Sequence, residues 1–253
     1  KIEEIFLSSG TTGNQSKHLI SDLNIYQESF QKSFKQFYGD ITDYCILSLL
    51  PNYRERKTSS LIYMVDDFIK KSKNKKSGSY FNDYKSLHET LRNVDNAGQK
   101  TILIGVSYAL LELAEQYPLS LKNIIIIETG GTKGKRKEHL KEEMHKILKE
   151  AFQLEKIHSE YSMTELLSQS YSKGGNAFSS PPWKKVLIRD INDPLSIIGT
   201  NQTGGINIID LANIYSCPFI ATQDLGKTYD DGTFSVLGRF NNADVRGCNL
   251  LIS

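Results

Sequence analysis

Apolar residues recur along this chain at two different periods, and the change of period divides it. Over residues 21–38, Tyr26, Phe30, Phe34 and Phe37 repeat at helical spacing, and Ser21 is a candidate N-cap. Residues 60–71 carry Leu61, Val65, Phe68 and Ile69 on one helical face, while the apolar run at 44–50, stopped by Pro51, reads as a buried strand. The middle of the chain alternates more clearly. Residues 101–105 (TILIG) and 123–127 (NIIII) are short apolar runs, the first followed by a helical stretch at 108–116 and then Pro118. The second closes in Thr129-Gly130-Gly131-Thr132, after which 136–152 place Leu140, Met144, Ile147, Leu148, Ala151 and Phe152 on one stripe. Strand and helix alternating at this spacing predict crossover units and a parallel sheet flanked by helices. From about residue 184 the pattern turns β-rich, with segments at 185–189, 205–211, 219–222 and 233–237 separated by turn signals such as Asp231-Gly232. The expected architecture is therefore an α/β part over residues 1–184 with a β-rich subdomain over 185–253 packed on it.

Composition narrows the function classes. A chain of 253 residues is long enough for a substantial core. Its 31 basic and 29 acidic residues leave a net charge of +2, without the basic excess that neutralising nucleic-acid phosphates requires. No apolar run approaches the ~20 residues that span a bilayer, and no signal-peptide pattern opens the chain. Three cysteines without metal-ligand spacing point to free thiols and a cytoplasmic setting. Cys45 and Cys217 lie in apolar, strand-like surroundings and read as core. The run KKSKNKKSGS at 70–79 reads as a solvated loop. Because the chain opens at Lys1 and reaches a glycine-rich loop within ten residues, natural sequence is expected to precede it.

That loop carries the strongest chemistry. In Ser8-Ser9-Gly10-Thr11-Thr12-Gly13-Asn14-Gln15-Ser16-Lys17 the glycines let several backbone N–H groups converge on an anion, the hydroxyls add donors, and Lys17 adds a charge. This composition suits a triphosphate, yet the spacing is neither that of a P-loop nor that of a dinucleotide fingerprint. A second candidate, Gly105-Val106-Ser107-Tyr108-Ala109, mimics a hydrolase nucleophile elbow. The histidines available downstream are His139, His145 and His158, and the first two share one helix too close in sequence for the usual triad order. His18 reads as an exposed histidine, and Lys133, Lys135, Arg136 and Lys137 read as a solvated helix start.

The S-S-G-T-T-G run followed by a lysine resembles the phosphate-binding signature of the adenylate-forming (acyl- and aryl-AMP) superfamily, and further markers follow in the family's order. Tyr161-Ser162-Met163-Thr164-Glu165 resembles its Y-G-M-T-E motif, Gly130-Gly131-Thr132 its glycine turn, Thr222-Gln223-Asp224-Leu225 its T-G-D-L segment, and Gly238-Arg239 its G-R. The resemblance implies that Tyr161 lies against adenine, that Thr164 meets the α-phosphate and that Glu165 holds Mg²⁺. It further implies that Asp224 binds the ribose, that Arg239 reaches the nucleotide and that Val106, Ser107 and Tyr108 border the substrate acid. Ser16 and Lys17 depart from the family, whose lysine sits one position earlier after proline. So do Ser162, Gln223 and Asn241-Asn242, and the family's mobile C-terminal domain with its lysine is missing from the sequence given.

The ending Arg246-Gly247-Cys248-Asn249 is similar to that of the acyl-protein synthetase of the bacterial luminescence fatty-acid reductase complex. That branch implies ATP-dependent activation of a fatty acid with Mg²⁺, transfer of the acyl group to Cys248, and a reductase partner. A thiol with its pKa near 8.5 supplies enough thiolate at neutral pH to attack an acyl-AMP. The alternatives are an acyl- or aryl-CoA ligase and a nucleotide-binding subunit without turnover.

Overall fold

A computed structural model describes residues 1–8, 16–50, 58–130 and 141–240. A two-stranded ribbon opens the chain, β1 (Glu4–Leu7) against β2 (Lys17–Ile20). Then follow α1 (Leu23–Tyr38), β3 (Cys45–Leu49), α2 (Ser60–Ser72), β4 (Gly78–Ser79), α3 (Tyr84–Asn96), β5 (Thr101–Val106), α4 (Ser107–Gln116), β6 (Ile124–Thr129), α5 (Lys141–Phe152), β7 (His158–Tyr161) and β8 (Ser170–Ser172). The chain continues through β9 (Ala177–Phe178), β10 (Lys184–Arg189), β11 (Ile197–Ile198), β12 (Gly204–Asp210), β13 (Phe219–Thr228) and β14 (Phe234–Arg239).

The first large sheet runs β4-β3-β5-β6-β7-β8 and is parallel except where β8 returns antiparallel to β7. β3 and β5 are buried along their whole length, as expected of strands covered on both faces by crossover helices. Gly105 near the end of β5 has no room for a side chain, because a Cβ there would meet Leu110 Cδ2 at 2.7 Å. The first turn of α4 can therefore lie directly against the strand it follows. On the other side, rings of β1, α1 and α2 interlock: Phe6–Tyr26 at 5.5 Å, Tyr26–Phe30 at 5.0 Å and Phe30–Phe68 at 5.4 Å, all edge-to-face.

The second sheet, in order β11-β10-β12-β13-β14-β9, is antiparallel throughout. Its alternating strands bury Val186, Ile188, Ile206, Ile208 and Phe234 together with Leu166 and Phe178. The α/β architecture with a separate antiparallel sheet is the one expected from the pattern.

Local expectations met several corrections. α1 is capped by Asp22, whose carboxylate accepts from Asn24 N at 3.0 Å, and Ser21 instead donates to Tyr215 O at 3.3 Å. The lysine-rich run at 70–79 is not one loop, since its start finishes α2 and its end pairs with β3 as β4. α3 went unread, although Leu87, Leu91 and Val94 give it a buried stripe and Asp83 caps it. Cys45 is buried as expected, but Cys217 is exposed, with its thiol against Phe219 O. Among the described residues no helix is long and apolar enough to cross a membrane.

His158, at the start of β7, stacks on Tyr38 at 5.8 Å and bonds its hydroxyl through Nδ1 at 3.2 Å. Burial first, then Lys173, Lys156 and His145, lowers its pKa to about 4. The unfolded imidazole protonates near 6.5 and the folded one resists, so its share of stability is present above pH 6.5 and lost as pH falls through 4. Allowing for the solvent this ring still meets, urea unfolding at pH 5 is expected to give a stability about 1 kcal/mol below that at pH 7.5 from this residue. The corresponding His158→Gln loss should be smaller, and equal losses in both proteins would remove His158 as the cause.

Candidate active site

In an open parallel sheet, ligands gather at the carboxyl ends of the strands, and here those ends are built from polar side chains. Ser107, opening α4 at the end of β5, donates to Glu128 Oε2 at 3.0 Å and also to the carbonyl of Gly130. Gly130 takes φ +70° just beyond β6, a left-handed turn that glycine adopts without strain. Val106 is buried beside Ser107, and Tyr108 is half-buried. Glu128 Oε1 lies 3.6 Å from His145 Nε2, which Ser159 Oγ also approaches at 3.3 Å. The acid thus stands between Ser107 and the imidazole. A hydrolase triad needs the histidine in the middle, so this geometry does not activate Ser107 as a nucleophile.

The segment leaving β7 brings distant residues together. Tyr161 OH donates to Asp224 Oδ2 at 2.8 Å, and its ring packs edge-on against Phe234 at 5.5 Å. Burial, together with the Asp224 charge, holds the Tyr161 hydroxyl well above its ordinary pKa, so it stays a donor. Asp224 lies opposite Arg239, whose Nε is 3.3 Å from Asp224 Oδ1. A bulge in β14, with Leu237 the extra residue opposite Leu225/Gly226, lies beside this pair, and a Cβ on Gly226 would meet Ser235 O at 2.3 Å. Four residues after Tyr161, Glu165 Oε1 accepts from Ser16 Oγ at 2.5 Å. Ser16 closes the neck of the glycine-rich loop: Ser8 N donates to Ser16 O at 3.0 Å, and Ser16 N to Ser8 Oγ at 2.8 Å.

The turn that carries Glu165 is held from behind by Asp210, which is 0% exposed. Its Oδ2 accepts from Leu167 N at 2.9 Å and Ser168 N at 3.0 Å, and its Oδ1 from Ser168 Oγ at 2.5 Å and Ala212 N at 3.1 Å. Lys184 Nζ donates to Ser168 O at 2.9 Å and lies 5.2 Å from the centre of the Tyr161 ring. Burial lowers its pKa to about 8, with Asp210 and Glu160 opposing. Glu160, to which the Thr129 hydroxyl donates, is pushed upward by burial.

The structure joins these residues in three groups: Ser8 with Ser16 and Glu165, Tyr161 with Asp224 and Arg239, and Ser107 with Gly130 at the strand ends. Thr164 sits half-buried in the turn beside Glu165. Lys17 is exposed and lies on the opposite face of β2 from His18. His18, read from sequence as exposed, is buried and bonds Asn213. Ser9, Gly10, Thr11, Thr12, Gly13, Gly131, Thr132 and Cys248 lie outside the described residues. Ser16 was expected only as one hydroxyl of the loop, and Asp210, Lys184 and Asn213 were not anticipated. Only Asp210 left a sequence signal, an Asp cap before the short helix Leu211–Asn213.

No protein-family model matches this sequence, and no curated protein does. Solved structures do match. ATP-bound MatB from Rhodopseudomonas palustris superposes with TM-score 0.72 at 16% identity, covering 94% of this chain and 48% of that one. The O-succinylbenzoate coenzyme A synthetase MenE from Bacillus subtilis, in complex with ATP and magnesium, gives 0.62 at 18%, covering 93% and 49%. The amide bond synthetase McbA from Marinactinospora thermotolerans gives 0.64 at 15%, covering 93% and 48%. The chain therefore shares the α/β fold of these structures, with its separate antiparallel sheet, and spans about half their length.

Asp210→Ala removes the acceptor of four hydrogen bonds and the first of the two carboxylates, Asp210 and Glu160, that face the buried Lys184 ammonium. A loss of about 3–5 kcal/mol in urea unfolding is expected, whereas a loss under 1 kcal/mol would show that water replaces the carboxylate.

Proposed function

We propose that this chain activates a carboxylic acid with ATP, forming acyl-AMP and pyrophosphate, and passes the acyl group to a cysteine thiol. The observation that carries the reading is the Ser16–Glu165 bond, which sets the neck of the glycine-rich loop against the carboxylate of the Tyr161–Glu165 motif across 149 residues of sequence. The Tyr161–Asp224–Arg239 chain supports it, because it aligns an aromatic ring, an acceptor and a cation, starting four residues before Glu165 in the same motif. The fold shared with structures that hold ATP, in one case with magnesium, points the same way.

The donor set fits Mg²⁺. Glu165 and Ser16 offer hard oxygens, and among the described residues no group of three or more carboxylate, imidazole or thiol ligands is present. Mg²⁺ is commonly held by one or two carboxylates together with substrate phosphates, and when bound it would offset charge on those phosphates. The residues divide the remaining work. Glu165 would serve as the protein's metal ligand and Thr164 as an α-phosphate contact, the Tyr161 ring would face adenine, Asp224 would accept from the ribose hydroxyls, and Arg239, paired with Asp224, would reach the nucleotide. Ser8 to Gly13 would cradle the phosphates, with Gly130 to Thr132 along the adenine edge and Lys17 as a nearby charge. Val106, Ser107 and Tyr108 would border the acid. A carboxylate oxygen of the acid attacks the α-phosphorus and pyrophosphate leaves. In the second half-reaction the Cys248 thiolate attacks the acyl carbon and AMP leaves, giving a thioester that a partner reductase could accept. A fatty acid is the substrate class this branch resemblance favours, in a cytoplasmic setting.

ATP–pyrophosphate exchange over a panel of fatty and aryl acids tests the reading; absence of exchange with every acid leaves a binding subunit without turnover. Glu165→Gln is expected to slow exchange most at limiting Mg²⁺, since an amide is the poorer ligand. Asp224→Ala should weaken ATP binding by about 1–3 kcal/mol in calorimetry. Cys248→Ser should still exchange pyrophosphate yet retain no hydroxylamine-sensitive acyl label, while Cys45→Ser and Cys217→Ser should label normally. Full labelling of Cys248→Ser, or transfer only to added coenzyme A, would instead identify a CoA ligase.

A further inference from the structure

Asn213 is 0% exposed and ends the short helix Leu211–Asn213 that Asp210 caps. Its Nδ2 donates to the carbonyl of Glu165 at 2.7 Å, and its Oδ1 lies 2.9 Å from His18 Nε2. The amide orientation follows from its partners, because a flipped amide would set two oxygens against each other at Glu165. The His18 tautomer follows in turn, since Oδ1 can only accept and Nε2 must therefore carry the proton. His18 is 5% exposed on β2, two residues beyond Ser16. One buried amide thus spans the backbone of Glu165 and the strand that leaves the glycine-rich loop, while Ser16 holds the Glu165 carboxylate from the same strand's entry. Glu165 is fixed at both ends, its side chain by Ser16 just ahead of β2 and its main chain by Asn213, the partner of His18 on β2.

We propose that Asn213 is a positioning residue, which with His18 sets the placement of the Glu165 carboxylate relative to Ser16. The proposal deepens the adenylation reading and rests on it, because the placement matters only if Glu165 serves a nucleotide-bound metal. Asn213 acts through Glu165 and does not itself meet the nucleotide. Removing the amide leaves the Glu165 carbonyl and the His18 N–H without partners, and the turn gains freedom that a metal ligand cannot afford.

The test uses the full chain and three variants: Asn213→Ala, His18→Leu, and His18→Gln, whose amide nitrogen can replace Nε2. Binding of a non-hydrolysable ATP analogue is titrated by calorimetry at increasing Mg²⁺, and backbone amide exchange is followed over residues 163–168. The Mg²⁺ concentration for half-maximal binding is expected to rise about tenfold in Asn213→Ala and less in His18→Leu, as loss of one or two buried hydrogen bonds implies. His18→Gln should stay within about twofold of wild type, and affinity measured without Mg²⁺ should hardly change. Exchange at 163–168 should quicken in the first two variants only. A role confined to stability would lower the melting temperature and leave the Mg²⁺ dependence as it was, and that result overturns the proposal. If Asn213→Ala fails to fold, the contrast between His18→Leu and His18→Gln decides. If the wild-type chain binds no nucleotide, the adenylation reading falls, and unchanged exchange at 163–168 would separately refute the positioning role.

Discussion

The carboxylate of Asp210 is the joint on which the two sheets depend. A charge wholly removed from water is tolerated only when its lone pairs are filled and a countercharge is near. Asp210 meets both conditions, with four donors and the Lys184 ammonium close by. Its donors come from the turn after β7 and from its own short helix. Ser168 extends the network to Ser29 on α1 at 3.0 Å, and Trp183 Nε1 donates to that same hydroxyl at 2.9 Å. One buried anion therefore ties a helix of the first layer, the turn that carries Glu165 and the end of the interior strand β12 of the second sheet. Apolar contact could press these surfaces together at many registers; directional bonds to a single carboxylate select one.

That selection matters because the candidate site belongs to no single element. Ser16, Glu165, Asp224 and Arg239 come from the opening ribbon, the turn after β7 and the strands β13 and β14. A charge-stabilising site works when its groups are already in place before reaction. Much of the polar network behind this one does not face a ligand at all but keeps those that would in register. The Asp224–Arg239 pair is different in kind: with the Arg239 side chain 64% exposed, it adds little stability, and its value lies in orientation.

The layers were legible in the sequence because parallel strands buried on both faces leave nearly unbroken apolar runs, as Thr101–Val106 does, and the strands of the second sheet leave alternation. α3 was not, since its three buried positions lie among charged residues next to a lysine-rich stretch that reads as loop. At the site, motif residues announced themselves by resemblance, and the resemblance gave no hint of what supports them. Asn213 and Lys184 look like ordinary polar residues in a strand-rich region. Their roles arise from partners 48 and 16 residues away, a relation that no local pattern encodes. His18 was misread for the same reason, as a single imidazole carries no sign of whether an amide 195 residues later will meet it.

The opening ribbon has only two strands and leans on late-arriving residues. Besides the His18–Asn213 bond, Ser216 Oγ donates to Leu19 O at 2.9 Å and Ser21 Oγ to Tyr215 O. An isolated hairpin is marginal in water, so the ribbon's final geometry waits for residue 216. On a ribosome adding roughly 5–20 residues per second, that interval of about 200 residues lasts about 10–40 s. The parallel strands, linked by nearer neighbours, can assemble meanwhile. Ser8 and Ser16, at the neck of the glycine-rich loop, are thus synthesised about 200 residues before the groups that lock the strand beside them, so the ribbon must stay adaptable until those groups arrive.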